Sequence, residues 1–351
     1  MRYPQIAIAS LAIAVALGGC SLENRPPRAI VALDEAFAAS RPSLSGRLQA
    51  FQTFGDGPAK LFSHALVVPL TLSEGAGKAI EAARAEERKS GKRVILVTSP
   101  LVASAIIGGG NWSGEPPLLV PEYRRALQGE PISGLYTAVT DSIPAYQAAG
   151  RTAGLYIAEL AKTGGSPCCA VLFSESPSRP RTALAAFAAA FTVASGGRLP
   201  TVKELPGGAR TALGNANDMP TTAESDAEAA VTELLGLDLR LLFIAIGPGS
   251  ETAINKASRP GLVIGLDSAA PIAPKGIAFR ILPDDKALAR AMAAERRTIG
   301  MKSGVVNGAA RSVPALLLAE AGSESLHTGK LPFSRFLSNA ALGAKGSYLS
   351  H

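Results

Sequence analysis

Apolar residues in this chain recur in two alternating rhythms. Short unbroken runs (Ala29–Leu33, Ala65–Leu70, Arg93–Thr98, Pro116–Pro121, Leu135–Val139) end on small, acidic or glycine residues. Between them lie longer stretches in which apolar positions return every three or four residues. The first rhythm predicts buried parallel strands and the second amphipathic helices. Leu239–Ala257 shows the join at its clearest. Apolar Leu241–Ile246 gives way to Gly247, Pro248, Gly249 and Ser250, and Ala253, Ile254 and Ala257 then follow at helical spacing.

Read in order, the pattern predicts helices over Ser43–Phe54 and Ser73–Lys89, and one that starts near Val102 and ends at Gly108–Gly110. Another is expected over Ala145–Leu160, where Ala148, Ala149, Gly150 and Gly154 permit close backbone approach. A second series opens at Cys168–Phe173. It continues with helix Arg181–Thr192, a strand around Val202, helix Ala223–Leu235, strand Leu241–Ile246, helix Glu251–Ala257 and strands Leu262–Leu266 and Ile277–Ile281. Helices over Lys286–Arg297 and Val313–Ala321 precede an irregular tail containing Pro332, Phe333 and Phe336. Alternating strands and helices imply an α/β fold with parallel sheets flanked by helices, and two successive series imply two doubly wound, Rossmann-like lobes.

The amino terminus follows another pattern. Arg2 precedes the apolar run Ile6–Leu17, too short to span a bilayer comfortably, and Gly18, Gly19, Cys20 and Ser21 come next. Leu17-Gly18-Gly19-Cys20 resembles a bacterial lipobox, which implies a signal peptide over 1–19, acylation of Cys20 and a tether over 20–27. Such a protein belongs in the cell envelope, held to a membrane by buried methylenes.

With 351 residues there is material for two lobes, each with its own core. Aromatics make up 5% of the chain, so Ala, Leu, Ile and Val are expected to fill those cores. The formal charge is +7, but the basic residues are scattered and no basic stripe is interleaved with aromatics. That distribution argues for surface charge, usable near anionic headgroups, and against nucleic-acid binding.

Catalytic chemistry finds little support. His64, His327 and His351 stand outside any nucleophile or metal-ligand pattern, and no G-x-S-x-G, Walker A loop or G-x-G-x-x-G after a strand occurs. Cys168 and Cys169 lie side by side in a buried strand without zinc or C-x-x-C spacing; burial is expected, a strained vicinal disulfide being the alternative. No cofactor or metal is expected. Open α/β sheets bind ligands at their carboxyl edges, where free backbone N–H groups and small hydroxyls gather. Asp34 closes the first strand there, either accepting from a ligand or capping the next turn.

The order and spacing of VILVTSPLVASAI (94–106), LYTAVTDSIPAYQAAGRTAGLYIAEL (135–160), FIAIGPGSETAINKA (243–257) and VIGLDSAA (263–270) resemble those of type I periplasmic substrate-binding proteins. Within that group the chain is most similar to the basic membrane protein family of lipoproteins, which includes purine-nucleoside receptors of ABC transporters. The resemblance implies a first lobe over 28–139 and 284–325, a second over 140–283 and 326–351, and a ligand cleft between them. It implies that Ser99, Glu122 or Tyr123 face a small-molecule ligand from the first lobe, with Glu175, Gly247, Gly249, Ser250 and Asp267 facing it from the second. Asp34, Glu122 and Asp267 would accept ligand hydroxyls, the turn at Gly247–Ser250 would donate, and an ABC permease would be the partner. The chain departs from that family at DEAFAASRPSLSG (34–46), where relatives carry an Asp-rich stretch followed by Ser-Phe-Asn. Its one tryptophan, Trp112, lies in a glycine-rich loop, leaving Phe37, Tyr123, Tyr136 and Phe173 as candidate stacking rings. Nucleosides, sugars and flavin-like molecules all remain open as ligands. The competing expectation is a binding-protein fold reused as a sensor or structural envelope lipoprotein without a transport role.

Overall fold

A computed structural model describes residues 27–51, 72–110, 112–124, 131–176, 178–205, 221–247, 249–268, 275–301, 308–320, 333 and 335–337. The leader, Cys20 and the expected strand Ala65–Leu70 lie outside them. The described chain forms two compact units. One is drawn from residues up to Val139 together with Lys286–Arg311, the other from Thr140–Asp285 together with Ser312 onward.

In chain order the first elements are β1 (Arg28–Ala32), α1 (Glu35–Ser40), α2 (Pro42–Gln49), α3 (Leu72–Ser90), β2 (Val94–Thr98), α4 (Pro100–Gly108), β3 (Leu118–Pro121) and β4 (Leu135–Asp141). Then come α5 (Ile143–Ala161), β5 (Cys168–Phe173), α6 (Arg181–Ala194), β6 (Thr201–Glu204), α7 (Thr221–Leu235), β7 (Leu239–Ala245), α8 (Ser250–Ala257), β8 (Val263–Asp267), β9 (Phe279–Leu282), α9 (Asp285–Met301), β10 (Ala309–Pro314) and β11 (Leu316–Ala319).

The first sheet has the order β1-β2-β3-β4-β10, with β1 to β4 parallel. Val94–Val97 and Leu118–Val120 are fully buried, as continuous apolar runs in a sheet covered on both faces should be. On one face Ala76, Ala79 and Ile80 of α3 and Val102, Ala103 and Ile106 of α4 pack over Leu96, Leu118 and Val120. Aliphatic and alanine side chains make up most of this core, as the composition suggests, with Tyr123 among them.

The second sheet has the order β11-β9-β8-β7-β5-β6; its strands are parallel except β11, which runs antiparallel to β9. Alternate residues of β5 and β7 enter opposite cores. Val171, Phe173, Leu241 and Phe243 join α5 and α6, while Ala170, Leu172, Leu242 and Ile244 join α7 and α8. The first of these cores departs from expectation: it is aromatic. Phe187 stacks on Phe243 at 5.2 Å, Phe243 meets Phe279 at 5.7 Å, and Phe279 meets Phe333 at 5.3 Å. The chain's few rings are concentrated here, and Gly265 is what admits one of them: a Cβ there would stand 2.0 Å from the Phe279 ring. Gly150 lets α5 approach α6 in the same way, with a Cβ position 2.2 Å from the Phe187 carbonyl oxygen.

The helix expected over Val313–Ala321 does not form. That segment supplies the end of β10 and all of β11, whose Leu316–Ala319 pairs with Phe279–Leu282. The run of leucines satisfies the edge of the second sheet instead, its backbone pairing with Phe279–Leu282. The short helix α1, absent from the sequence reading, is nucleated by Asp34, as described below.

Candidate functional site

Parallel strands bring their carboxyl ends to one edge of each sheet, so the side chains just beyond those ends are gathered by topology. In the first unit these are Asp34 after β1, Ser99 after β2, and Glu122 and Tyr123 after β3. Asp34 caps α1: its Oδ1 accepts from the Phe37 N–H at 2.8 Å. Its Oδ2 accepts from the Ser99 hydroxyl at 2.5 Å, and its own N–H donates to the Ser99 Oγ at 3.2 Å. Ser99 is fully buried and stands at the start of α4 without capping it, because its hydroxyl is engaged by Asp34.

Glu122 adopts φ 58°, an unusual conformation for a residue with a Cβ. Arg41, at 3.6 Å, and Arg124, at 3.3 Å, bracket its carboxylate, and all three side chains are largely buried. Tyr123 is 3% exposed and belongs to the hydrophobic core of this unit. Tyr136 and Phe173 are also buried; of the four candidate stacking rings, Phe37 alone keeps partial exposure.

In the second unit the carboxyl ends of β5, β7 and β8 bring together a different set. Asp267 accepts a 2.5 Å hydrogen bond from the hydroxyl of Tyr146, a fully buried residue one turn into α5. Burial, then the charge of Asp267 and the bond to it, push the Tyr146 phenol well above its ordinary range, so its hydroxyl remains a donor. The guanidinium of Arg179 is close enough to oppose that shift. Arg179 donates from Nε to the Ser174 carbonyl at 3.3 Å and lies against the Gly247 turn, where a Cβ would stand 2.7 Å from its Nη2. Gly247, at φ 75°, thus serves twice, as a left-handed turn residue and as the space for the cation. Arg179 has no ion-pair partner among the described residues.

Three other expected site residues have internal partners. Gly249, at φ 84°, forms the amino-terminal cap of α8. The Ser250 hydroxyl donates to the Gly247 carbonyl at 2.6 Å, and its N–H points to the same oxygen at 3.1 Å. Glu175 is exposed and paired with Arg181, which also holds Glu204. The second edge therefore gathers Asp267 and Gly247 with two residues missing from the sequence reading, Tyr146 and Arg179. A signal for each exists. Tyr146 lies on the inward face of a helix with Ala149, Gly150 and Ala153, and a buried tyrosine needs a partner for its hydroxyl. Arg179 precedes Pro180 in the polar connection that follows β5, where a helix cannot yet have begun. Cys168 and Cys169 are free thiols; burial and the neighbouring Cys168 raise the pKa of Cys169.

No protein-family model matches this chain, and no curated protein matches it. Solved structures do. A solute-binding protein of an ABC transporter system from Aeropyrum pernix K1 is 13% identical, covers 92% of this chain over 87% of its own, and superposes with a TM-score of 0.50. A transcriptional activator of the comK gene from Bacillus halodurans is 9% identical, covers 92% of this chain over all of its own length, and gives 0.52. At these identities the likeness speaks to fold alone. That fold is the α/β fold of type I periplasmic binding proteins, with parallel sheets flanked by helices.

Proposed function

We propose that the chain is a solute-binding receptor of the cell envelope, anchored through an acylated Cys20, that delivers a small polar molecule to an ABC permease. The ligand would be held at the carboxyl edge of the second sheet, where Asp267 accepts and Arg179 donates. A basic membrane protein-like, purine-nucleoside specificity is the narrowest form of the proposal and rests on the four sequence segments quoted above.

One observation carries this reading. Arg179 is half-buried, donates one bond to a carbonyl and has no carboxylate partner among the described residues, yet its charge acts on Tyr146, the donor to Asp267, at a sheet's carboxyl edge. A guanidinium has five N–H donors, and those of Arg179 that the Ser174 carbonyl does not take reach solvent, where a polar ligand can replace water. Asp267 supplies an acceptor for hydroxyls, with its geometry held by Tyr146. Together they form a donor–acceptor pair suited to a polyhydroxylated or heterocyclic molecule.

Native mass spectrometry of the full chain should show a co-purified small molecule. Calorimetric titration with nucleosides, pentoses and flavins should give saturable heat with one of these classes, and Arg179→Ala should remove it. No bound molecule and no heat from any class would defeat the receptor reading.

A further inference from the structure

The opposite edge of the first sheet, where β1 to β3 begin, has a character of its own. Arg296 of α9 grips the chain there: its Nε and Nη2 both donate to the Pro27 carbonyl, at 2.9 and 2.7 Å. Arg296 is 7% exposed and its guanidinium lies 5.8 Å over the Phe51 ring, so the start of β1 is fixed at this edge. Six residues lie between Cys20 and Pro27, a span of seven chain steps. At a full extension of about 3.5 Å per residue, Cys20 lies within roughly 25 Å of this edge.

The charge at this edge is uneven. Arg28 is paired with Glu86, and Arg93 with Glu115 at 2.6 Å. Arg88 and Lys89 at the end of α3, Lys92 in the turn into β2, and Arg297 on α9 are all exposed and have no ion-pair partner among the described residues. On the last turns of α3, Glu87 is an acidic neighbour without an ion-pair partner among the described residues. Trp112, the chain's one tryptophan, lies in the connection that leads from α4 to β3 at the same edge. It is partly exposed, and its indole N–H is satisfied by the Pro116 carbonyl at 2.9 Å. Short reach to an acylated residue, a surplus of cations and an amphipathic ring together describe a surface that meets an anionic bilayer.

We propose that the amino-terminal edge of the first unit docks on anionic lipid headgroups, with Arg88, Lys89, Lys92 and Arg297 at the phosphates and Trp112 at the interface. The proposal rests on the lipid-anchor reading. It fixes an orientation: the carboxyl edge, with Asp34 and Ser99 at its strand ends, points away from the membrane, toward arriving solute.

A single tryptophan makes the test direct. The full chain, isolated from membranes with its amino terminus processed in the cell, is placed in vesicles whose lipids are brominated on the upper part of the acyl chain. Trp112 emission should be quenched in phosphatidylcholine containing about one-third phosphatidylglycerol. It should not be quenched in phosphatidylcholine alone. Raised salt, or the triple variant Arg88→Glu, Lys89→Glu, Lys92→Glu, should return it to the neutral-lipid level. Equal quenching in both lipids would mean that the anchor alone sets the distance, and quenching in neither would mean that another surface faces the bilayer; either result overturns the proposal. The mass of the processed amino terminus decides the anchor separately, and ligand titration decides the receptor.

Discussion

At the carboxyl edge of the first unit every acidic group has been claimed. Asp34 holds Ser99 and caps α1, and Glu122 is bracketed by Arg41 and Arg124. At the corresponding edge of the second unit, a cation lies beside a tyrosine–aspartate pair and gives one donor to a carbonyl. The same topology thus yields one edge whose carboxylates are paired, with the buried Thr98 hydroxyl left without a partner beside them, and one where a guanidinium keeps donors that reach solvent. In a binding protein, polar recognition energy comes from groups that gain more from the ligand than they lose from their existing partners. If the chain is the receptor proposed above, affinity by that measure resides in the second edge, while the ion pairs of the first contribute stability.

Among variants that leave the Arg179 cation in place, the largest effect should come from Gly247→Ala. A Cβ there would stand 2.7 Å from Arg179 Nη2, so the guanidinium must move while its charge stays. A left-handed residue with a side chain adds about 1 kcal/mol of strain. Displacing a half-buried charged donor is worth more, and ligand affinity should fall on the order of a hundredfold. Calorimetry checks this. If Gly247→Ala binds normally while Arg179→Ala does not, the cation matters for its charge and not for its place.

The contrast can be broken from the other side with Arg41→Ala. The side chains of Arg41 and Glu122 are 11% and 15% exposed, so removing one cation leaves a largely buried carboxylate undercompensated. The cost should be about 2 kcal/mol, below the figure for deeply buried pairs because the contact is long and Arg124 remains. Denaturant unfolding should show the loss, with ligand affinity changed less than about fivefold. Lost binding with unchanged stability would make the first edge the recognition surface and reverse the comparison.

How much of this could be read from the sequence follows from which interactions are local. Strands such as Val94–Thr98 and Cys168–Phe173 are legible because burial on both faces demands an unbroken apolar run. Helices such as Leu72–Ser90 are legible because their apolar period is local. The segment Val313–Ala321 misled because its leucines suit either a helix face or an edge strand, and the deciding partner, Phe279–Leu282, lies far away in the chain. Asp267 is visible as the polar end of a strand. Its donor Tyr146 stands 121 residues earlier, and no pattern within α5 names the partner of a buried phenol. Arg179 and Gly247 meet only because β5 and β7 are neighbours, a fact of sheet order that the linear pattern does not carry. Glu122 was legible as an acidic strand end, but not its two arginines, one of which comes from the junction of α1 and α2.

Tyr146→Phe should have a smaller effect. It removes one hydroxyl and keeps the ring against Phe243, at 5.3 Å in an edge-on contact. The lost bond to Asp267 should cost about 1 kcal/mol of stability and weaken the ligand roughly fivefold to tenfold. A pH signature separates this from general loosening. The phenol titrates above its unfolded value of 10.0 in the folded chain, so the stability it contributes is complete below pH 10 and declines as pH rises beyond it, where the unfolded chain releases that proton first. The alkaline decline in unfolding free energy should be shallower in Tyr146→Phe than in the parent chain. An unchanged slope would show that the Tyr146–Asp267 bond does not form in solution.

Ser99→Ala should be the mildest of the set, and it tests the claim that the Asp34 carboxylate is satisfied by its own neighbours. The variant removes the 2.5 Å donor to Asp34 Oδ2 and the acceptor for the Asp34 N–H, but Oδ1 keeps the Phe37 N–H and the cap of α1 persists. Because Asp34 is only partly buried, water replaces the lost hydroxyl on the carboxylate and no orphaned charge results. The expected cost is therefore that of one hydrogen bond, about 1 kcal/mol, with affinity for any ligand changed less than about threefold. Hydrogen exchange locates the effect: amides at Phe37 and Ala38 should exchange faster, while those of α8 and β8 in the second unit keep their protection. A loss of affinity as large as that of Arg179→Ala, without faster exchange at α1, would show that the Ser99 hydroxyl leaves Asp34 for the ligand. The first edge would then be a second recognition surface, held closed by the Asp34–Ser99 bond until solute arrives.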